Sequence, residues 1–515
     1  MRKGFVIFLC LLLITTIFVI PTPSKALRYN MDKKLSNVDA SFLGEGTSDY
    51  SGLSVAGAGD VNGDGYDDIV IGAFDNSEVG LLAGQTYIIL GKASGLAMDT
   101  DLSNADASLR AEDAGDRSGY SVAGAGDVNG DGYDDVLIGA DGDEEGGNGA
   151  GQTYLFLGKA SGWAMDTSLS KSGASFWGEN ANDYSGHSVA GAGDVNGDGY
   201  DDILIGSYWN DEGGNNAGQT YLVLGKASGL AMDTKLSKAD ASFWGEAADD
   251  CSGRSIAGAG DVNGDGYDDI LIGAYRNSDG GSVAGQTYLI FGKASGWAMD
   301  TNLSKADASF WGENAGDSSG YSVAGAGDVN GDGYDDILIG AHINCDGGNC
   351  PGQTYLIFGK ASGWAKDTHL SNSNASFWGE GMGDYSGFSV AGAGDVNGDG
   401  FDDILIGAQG NNDGGTDAGQ TYLVLGKASD WAMDTALSNA NASFWGEAVD
   451  NYSGYSVAGS GDVNGDGCDD ILIGAYGNDE GASYGGQTYL VFPDSNRGFG
   501  SLNTLLDPRK SVFSC

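Results

Sequence analysis

One heptapeptide recurs along the 515-residue chain at a constant interval and limits the folds that the chain can adopt. The string Gly-Asp-Val-Asn-Gly-Asp-Gly occurs seven times, and each copy starts 67 residues after the previous one. Its first Asp stands at Asp60, Asp127, Asp194, Asp261, Asp328, Asp395 and Asp462. Because no insertion or deletion separates the copies, every unit is expected to meet the same surroundings. This uniformity predicts a closed ring or a regular solenoid.

The apolar residues within one unit follow the two-residue period of β-strands, and no stretch of ten or more keeps a helical period. In the third unit, strands are predicted over residues 185–192, 202–207, 218–225 and 241–246. Gly-rich turns separate them, as in a meander of short strands. A parallel β-helix, the alternative, usually has shorter coils. The pattern therefore predicts an all-β fold, a seven-bladed β-propeller with four antiparallel strands per blade.

The two ends of the repeat region complement each other. Residues 40–45 resemble a fourth strand that precedes the first unit, and the last unit stops after its third strand, residues 486–492. Pairing of these two segments would complete the last blade and leave no exposed blade edge. We therefore expect one propeller over residues 27–492, closed by its N-terminal strand.

Each heptapeptide opens a nine-residue acidic loop with the ligand types that Ca²⁺ prefers. In the first loop, Asp60, Asn62, Asp64 and Asp68 supply side-chain oxygens at positions 1, 3, 5 and 9, and Tyr66 supplies its carbonyl at position 7. Hard oxygen ligands around a tight Gly turn suit Ca²⁺ better than Mg²⁺, which keeps more of its waters. Since only the carbonyl of position 7 is needed, its side chain is expected to be free to vary.

The same five positions recur in the other six loops, so up to seven Ca²⁺ ions are predicted, one per blade. The further predicted ligands are Asp127, Asn129, Asp131, Tyr133, Asp135, Asp194, Asn196, Asp198, Tyr200, Asp202, Asp261, Asn263, Asp265, Tyr267, Asp269, Asp328, Asn330, Asp332, Tyr334, Asp336, Asp395, Asn397, Asp399, Phe401, Asp403, Asp462, Asn464, Asp466, Cys468 and Asp470. An EF-hand is excluded because its twelfth position needs Glu, and Ile71 stands there. The alternative is a polar turn whose Asp and Asn side chains bond their own backbone.

These loops and their flanking strands resemble a known repeat. Residues 51–56, the Asp60 to Asp68 loop and the following Ile-Val-Ile-Gly-Ala are similar to the FG-GAP repeat of integrin α-subunit propellers and many bacterial surface proteins. The resemblance implies a seven-bladed propeller with Ca²⁺ in the hairpin between strands one and two, and a ligand-binding face opposite these hairpins. This chain departs from the family in having Ser at the Phe position of most units, as at Ser51 and Ser185.

Charge and the chain ends bear on location and partners. With 24 Lys and Arg against 73 Asp and Glu, the formal charge is −49, which excludes nucleic acid as a partner because phosphate binding needs a basic surface.

Residues 1–26 are typical of a signal peptide, which predicts a secreted or cell-surface protein; an uncleaved anchor is the alternative. No membrane span is expected in the mature chain. Residues 493–515 are predicted to be a disordered tail, and Cys345 and Cys350 either pair or remain free thiols.

The loop after the second strand varies most between units. It contributes aromatic and basic side chains, which are enriched in binding hot spots. We expect it on the face opposite the acidic loops, where the candidate ligand-binding residues are Tyr208, Trp209, Tyr275, Arg276, His342 and Tyr476. The alternative is that each aromatic residue only caps its blade. The ligand is expected to be a protein or a glycan outside the cell, and the oligomeric state is left open.

No catalytic constellation is present in the sequence. The three His residues, His187, His342 and His369, occupy different repeat positions and form no pattern with a nucleophile. A non-enzymatic adhesion or ligand-binding module is therefore predicted. A lectin with sugar pockets between blades is the alternative, and an enzyme-associated propeller is a third. The recurring Trp177, Trp244, Trp311, Trp378 and Trp445 are expected to pack the blades; a sugar platform is the alternative.

Overall fold

Seven sheets arranged in a ring form the protein in the computed structural model, which describes residues 33–346 and 348–493. The predicted seven-bladed propeller is confirmed. The predicted signal peptide and all of the predicted tail beyond residue 493 lie outside the described residues. None of the helices in the described ranges is long and apolar enough to cross a membrane.

Four antiparallel strands form the body of each blade, as predicted. The inner strands are Ser54–Gly59, Ser118–Gly126, Ser188–Gly193, Ser255–Gly260, Ser322–Gly327, Ser389–Gly394 and Ser456–Gly461. The second strands are Asp68–Ala73, Asp135–Ala140, Asp202–Ser207, Asp269–Ala274, Asp336–Ala341, Asp403–Ala408 and Asp470–Ala475. The third strands are Gln85–Ile89, Gln152–Phe156, Gln219–Val223, Gln286–Ile290, Gln353–Ile357, Gln420–Val424 and Gln487–Val491. The outer strands are Ala40–Leu43, Ala107–Arg110, Ala174–Trp177, Ala241–Trp244, Ala308–Trp311, Ala375–Trp378 and Ala442–Trp445.

A fifth strand of two residues, which the sequence pattern did not predict, lies parallel to the outer strand of each blade. It comes from the following repeat and therefore joins neighbouring units. These short strands are Lys33–Lys34, Thr100–Asp101, Thr167–Ser168, Thr234–Lys235, Thr301–Asn302, Thr368–His369 and Thr435–Ala436. Each leads into a short 3₁₀ helix, namely Leu35–Asn37, Leu102–Asn104, Leu169–Lys171, Leu236–Lys238, Leu303–Lys305, Leu370–Asn372 and Leu437–Asn439.

The ring closes through the N-terminal strand, as predicted. Strand Ala40–Leu43 pairs antiparallel with the last third strand, Gln487–Val491, in the register Phe42 to Thr488. A second closure was not predicted: Lys33–Lys34 pairs in parallel with the outer strand of the sixth blade. The N-terminal segment therefore ties together the last two blades.

The inner strands approach so closely around the central channel that only Gly fits at one position. A Cβ built on Gly57 would lie 2.9 Å from the main-chain oxygen of Gly459, and one on Gly124 would lie 2.7 Å from that of Gly57. Outside this contact, the apolar core lies between adjacent blades. One such cluster joins Val70 and Ile88 of the first blade to Ile138 and Tyr154 of the second. Each blade is therefore stabilised by its neighbours.

Candidate metal loops and ligand-binding face

The antiparallel meander places two kinds of loop at opposite ends of the ring. The acidic loops follow the inner strands, and we call their end the loop face. The inner strands begin at the other end, which we call the channel mouth. The loops that follow the second strands also emerge there, because the second strands run antiparallel to the inner ones.

The first position of each acidic loop organises the turn. One carboxylate oxygen of Asp60 accepts hydrogen bonds from the N–H groups of Gly63 and Asp64 at 2.6 and 3.0 Å. Its second oxygen accepts from Gly65 N–H at 2.8 Å. Gly63 and Gly65 have φ of +73° and +89°, which other residues rarely adopt. The loop is thus wound around the Asp60 carboxylate.

The ninth position, by contrast, is buried beneath the loop. The carboxylate of Asp68 accepts from the N–H groups of Val61 and Gly91 at 3.0 and 2.7 Å, so it joins the hairpin to the third strand. Burial, together with the charges of Asp60 and Asp64, raises the pKa of Asp68 to about 7, against the effect of these hydrogen bonds. The amide of Asn62 also donates to Asp68, as the third-position Asn does in every loop.

The donor chemistry of each loop fits a hard cation such as Ca²⁺, since it combines carboxylates, an amide oxygen and a main-chain carbonyl. Within the described residues, however, no three Asp, Glu, His or Cys side chains are already arranged to enclose a metal ion. The proposed ligands are therefore near each other and repel each other, as the raised pKa of Asp68 indicates, without forming a finished cage.

The eighth position, to which the sequence gave no role, connects neighbouring blades. The carboxylate of Asp134 accepts a hydrogen bond from the N–H of Asp60 in the preceding blade at 2.8 Å. The same bond of 2.8 Å occurs at all seven blade junctions, including Asp67 to Asp462 across the closure. The signal in the sequence was an Asp retained in every copy at a position that is not a ligand.

The side chain at position 7 varies between Tyr, Phe401 and Cys468, as expected, and it also contacts the preceding loop. The ring of Tyr133 packs on Gly63 of the preceding loop, where an added Cβ would lie 2.6 Å from the ring. Where Cys468 stands at this position, a Cβ added to Gly398 of the preceding loop would lie 3.6 Å from its sulfur, an ordinary contact distance. An aromatic ring here covers the neighbouring loop.

A pocket of about 240 Å³ opens at the channel mouth. The residue that precedes the Ser-Val or Ser-Ile pair of each inner strand lines its opening, and we call these seven residues the inner collar. They are Leu53, Tyr120, His187, Arg254, Tyr321, Phe388 and Tyr455. Below them, Ser and Val side chains of the inner strands line the walls. Sequence reasoning did not recognise this position, although it alone varies within an otherwise uniform Ser-Gly-X-Ser segment.

Four of the six candidate ligand-binding residues pack directly on the inner collar. The ring of Tyr208 lies 4.3 Å from His187, and that of Tyr476 lies 4.6 Å from Tyr455. Both Tyr275 and His342 contact the ring of Tyr321, at 5.4 and 4.1 Å.

The other two candidates, Trp209 and Arg276, point away from the pocket. Trp209 is 42% exposed and contacts Tyr184 edge-on at 5.1 Å. Arg276 is exposed and lies beside Cys251. The six residues therefore lie on one face in two groups: four pack on the inner collar, and Trp209 and Arg276 lie farther out, at what we call the rim.

The His residues at the mouth are buried, which excludes them as freely titrating bases at neutral pH. Nδ1 of His187 lies 3.0 Å from a carboxylate oxygen of Asp141, whose other oxygen pairs with Arg117 at 3.2 Å. Burial lowers the pKa of His187 to about 4, although Asp141 opposes the shift. Burial likewise lowers the pKa of His342 to about 3. His369 lies away from the mouth, on the two-residue fifth strand Thr368–His369.

Two further features of the sequence now have positions. Cys345 and Cys350 form a disulfide in the loop that follows Asp336–Ala341, the second strand of the fifth blade. The recurring Trp residues end the outer strands and are partly buried, and Lys235 of the next repeat lies over Trp177 at 5.3 Å. That coverage favours the packing role.

Comparison with known proteins gives the same repeat in every blade. The FG-GAP repeat model matches residues 51–87, 118–156, 185–223, 252–290, 319–349, 386–424 and 453–491, which together exceed half of the chain. The chain is 33% identical over 239 residues to integrin alpha pat-2 of Caenorhabditis briggsae, covering 44% of this chain and 18% of that relative. It is 31% identical over 299 residues to integrin alpha-V of Gallus gallus, covering 55% of this chain and 26% of that relative.

The chain thus spans about a quarter or less of the length of these relatives. The similarity lies in the blades, whose strands, acidic loops and ring closure are described above. With seven matched repeats in seven blades, the chain belongs to the FG-GAP repeat family and is an integrin α-like β-propeller.

Proposed function

We propose that this chain is an exported, calcium-binding adhesion or ligand-binding module that holds a protein partner at its channel mouth, outside the cell or at its surface. The carrying observation is the contrast between a loop face built alike in all blades and a mouth whose side chains differ from blade to blade. A scaffold needs uniformity, whereas recognition of an asymmetric partner needs variation. The integrin names of the relatives and the predicted signal peptide agree with this role.

Calcium is proposed to act on the scaffold. Each loop places Asp carboxylates near a buried Asp, and their mutual repulsion opposes the tight turn. A bound Ca²⁺ would offset this repulsion and fix the hairpin between the inner and second strands. We propose no catalytic role for the bound Ca²⁺.

The mouth has the composition of a protein-binding surface. Tyr, Trp and Arg dominate binding hot spots because each offers a large rigid surface with a polar end. Here such side chains surround a pocket, and Trp209 stands exposed at the rim.

A pull-down with surface proteins from the cells that produce the chain tests the proposal. The bait is the purified chain, and the matched bait carries Trp209→Ala. We expect at least one protein to be retained by the wild type and lost with the variant. Retention of the same proteins by both baits, at equal amounts, would contradict a binding role for this face.

Glycan binding is the second candidate, and it has its own observation. Three pockets of about 110, 110 and 60 Å³ recur near the blade edges, with Trp364, Trp297 and Trp431 in their walls. A Lys lies over each of these rings at 4.4 to 4.8 Å. A glycan array separates the candidates: binding that is lost with Trp364→Ala but kept with Trp209→Ala favours the lectin.

A further inference from the structure

Arg254 is the one cation in the inner collar, and its charge is not matched by a carboxylate. Its guanidinium donates one hydrogen bond, from Nη2 to the Tyr321 hydroxyl at 2.8 Å, and lies over the Tyr321 ring at 4.6 Å. Among residues 33–346 and 348–493, no Asp or Glu forms an ion pair with it. A guanidinium carries five N–H donors, so most of its hydrogen-bonding capacity remains available.

The neighbouring blade provides a matched comparison one repeat earlier. His187 occupies the position equivalent to Arg254, and the preceding blade offers it the carboxylate of Asp141 at 3.0 Å. The residue equivalent to Asp141 for Arg254 is Tyr208, which has no negative charge to offer. The chain therefore places a carboxylate beside His187, where it also pairs with Arg117, and none beside Arg254. Partial burial of an unpaired cation is costly, and an external anion would remove that cost.

His187 supplies a second, independent polar group in the same pocket. Its side chain is only 5% exposed, and its Nε2 has no hydrogen-bond partner among the described residues. If Nδ1–H donates to Asp141, the neutral ring presents Nε2 as an acceptor. The nearby charge of Arg254 also favours this neutral form, since it lowers the pKa of His187. The pocket thus offers the cationic donor Arg254 beside a buried neutral imidazole, with no second positive charge from His187.

The size of the pocket limits what can enter. A volume of about 240 Å³ admits a side chain with its adjoining amide rather than a folded domain. The chain as a whole carries a charge of −49, which repels anions at long range. Salt screens that repulsion beyond about 8 Å, so an anion gains most where it reaches Arg254 directly.

We propose that the channel mouth binds an acidic side chain, Asp or Glu, of the protein partner, with the carboxylate on the guanidinium of Arg254. The inference rests on the proposed function and names the chemistry that its partner presents. Tyr and Arg side chains, which surround this pocket, are enriched in the hot spots of protein interfaces, which favours a peptide over an acidic sugar.

The test uses N-acetylglutamate amide as a probe, with the neutral N-acetylglutamine amide as its isostere. Binding to the full chain is followed by isothermal titration calorimetry, which reports affinity equally for the wild type and the variants. We expect saturable binding of the glutamate probe that is at least tenfold tighter than that of the glutamine probe. The variant Arg254→Leu, which introduces the residue found at the equivalent position of the first blade, should weaken binding at least tenfold, while Arg254→Lys should retain part of it. Arg110→Gln, which removes a charge from an outer strand, should have no effect.

Several results would overturn the proposal: no saturable binding of the glutamate probe to the wild type, equal affinity for both probes, or unchanged affinity in Arg254→Leu. Binding of glucuronate without binding of the glutamate probe would also overturn it. Thermal melts check that each variant is folded, and Arg254→Tyr, which matches Tyr120, replaces the Leu variant if it is not.

The outcome is separable from that of the proposed function. If a partner from the pull-down binds wild type and Arg254→Leu equally, the acidic-ligand inference fails while the adhesion role stands. If the glutamate probe binds through Arg254 but the pull-down yields no partner, the acidic-ligand site stands while the adhesion role fails.

Discussion

The two faces of this ring share one backbone and differ in how much variation they tolerate. On the loop face, the bond between neighbouring blades measures 2.8 Å at every junction. At the channel mouth, the collar position holds Leu, Tyr, His, Arg, Tyr, Phe and Tyr in turn. The difference indicates that identical hydrogen bonds connect the blades on the loop face, whereas the contacts between blades at the mouth accommodate different side chains around an open pocket.

Packing explains why the variation is confined to one face. On the loop face the residues at positions 7 and 8 contact the preceding loop, as Tyr133 and Asp134 contact Gly63 and Asp60, so a change in one loop disturbs its neighbour. At the mouth the collar side chains also contact one another, as Tyr321 and Phe388 do at 5.0 Å, but the pocket of about 240 Å³ that they border leaves space on one side for residues of different size. The comparison predicts that stability depends mainly on the loops and inner strands, and ligand binding mainly on the mouth.

Removal of calcium should have the largest effect on stability. A site at a free Ca²⁺ concentration a hundredfold above its Kd contributes about 2.7 kcal/mol, and seven sites act on one ring. We therefore expect a Ca²⁺-specific chelator to lower the Tm by roughly 10 °C or more. Differential scanning calorimetry of the purified chain measures the shift.

Ca²⁺ added in excess over the chelator is the control and should restore the Tm. An unchanged melting curve in the chelator would contradict both the metal sites and the assignment of the scaffold role to the loop face.

A single methyl group near the loop face should have the next largest effect. In Gly191→Ala the new Cβ would lie 2.8 Å from the main-chain oxygen of Gly124, which cannot move without shifting the next blade. We expect a loss of about 1–3 kcal/mol in the free energy of unfolding, measured by denaturant titration. The same change at the mouth, Gly381→Ala, is the control, because Ala247 occupies the equivalent position of another blade and makes the same N–H bond to Asp250 that Gly381 makes to Asp384. Equal losses in both variants would remove the proposed difference between the faces.

The sequence predicted the strands and the ring closure well because both depend on local period and on complementary chain ends. In the third unit the predicted second strand, 202–207, matches Asp202–Ser207. The sequence did not predict the two-residue fifth strand, which has no detectable alternation at that length. It also missed the role of Asp134, because contact with the preceding blade depends on the geometry of the ring rather than on the loop itself.

For the candidate site, sequence reasoning found the variable loop but not the collar. Tyr208 and Tyr476 were selected because their loops differ between units. Arg254 and Tyr321 were not selected, since one variable residue inside a uniform strand is a weak signal. Only the closed ring brings these residues from separate blades to one pocket. A prediction that residues 67 or more positions apart meet in one pocket therefore needs the three-dimensional structure.

The buried bases of the mouth should make it sensitive to acid. Because the pKa of His342 is lowered from its usual value of about 6.5 to about 3, its neutral form stabilises the fold above pH 6.5, and this stability is lost as the pH falls toward 3. His342→Tyr places the residue found at Tyr208, Tyr275 and Tyr476 in this position. The stability of the wild type relative to this variant should therefore fall by about 1.4 kcal/mol per pH unit below 6.5.

Denaturant titrations of both chains at pH 7.5, 6 and 5 measure this difference, and only the difference is used because carboxylates titrate in the same range. A constant difference across the three pH values would mean that His342 becomes protonated without cost and that the mouth is more open than its packing against Tyr321 and Phe388 indicates.

The smallest change in stability is expected at the rim of the mouth, where binding should respond most. Trp209 is 42% exposed, and its main contacts are ring contacts with Tyr184 and Tyr208 at 5.1 and 5.5 Å. Trp209→Ala should therefore change the free energy of unfolding by less than about 1 kcal/mol, since neither a buried cavity nor an unpaired polar group results. The same variant should weaken partner binding at least tenfold in a surface plasmon resonance measurement, because an exposed Trp at a hot spot loses its buried area in the complex. A large loss of stability with unchanged binding would place Trp209 in the scaffold and would make the mouth, like the loop face, a surface that holds the blades together.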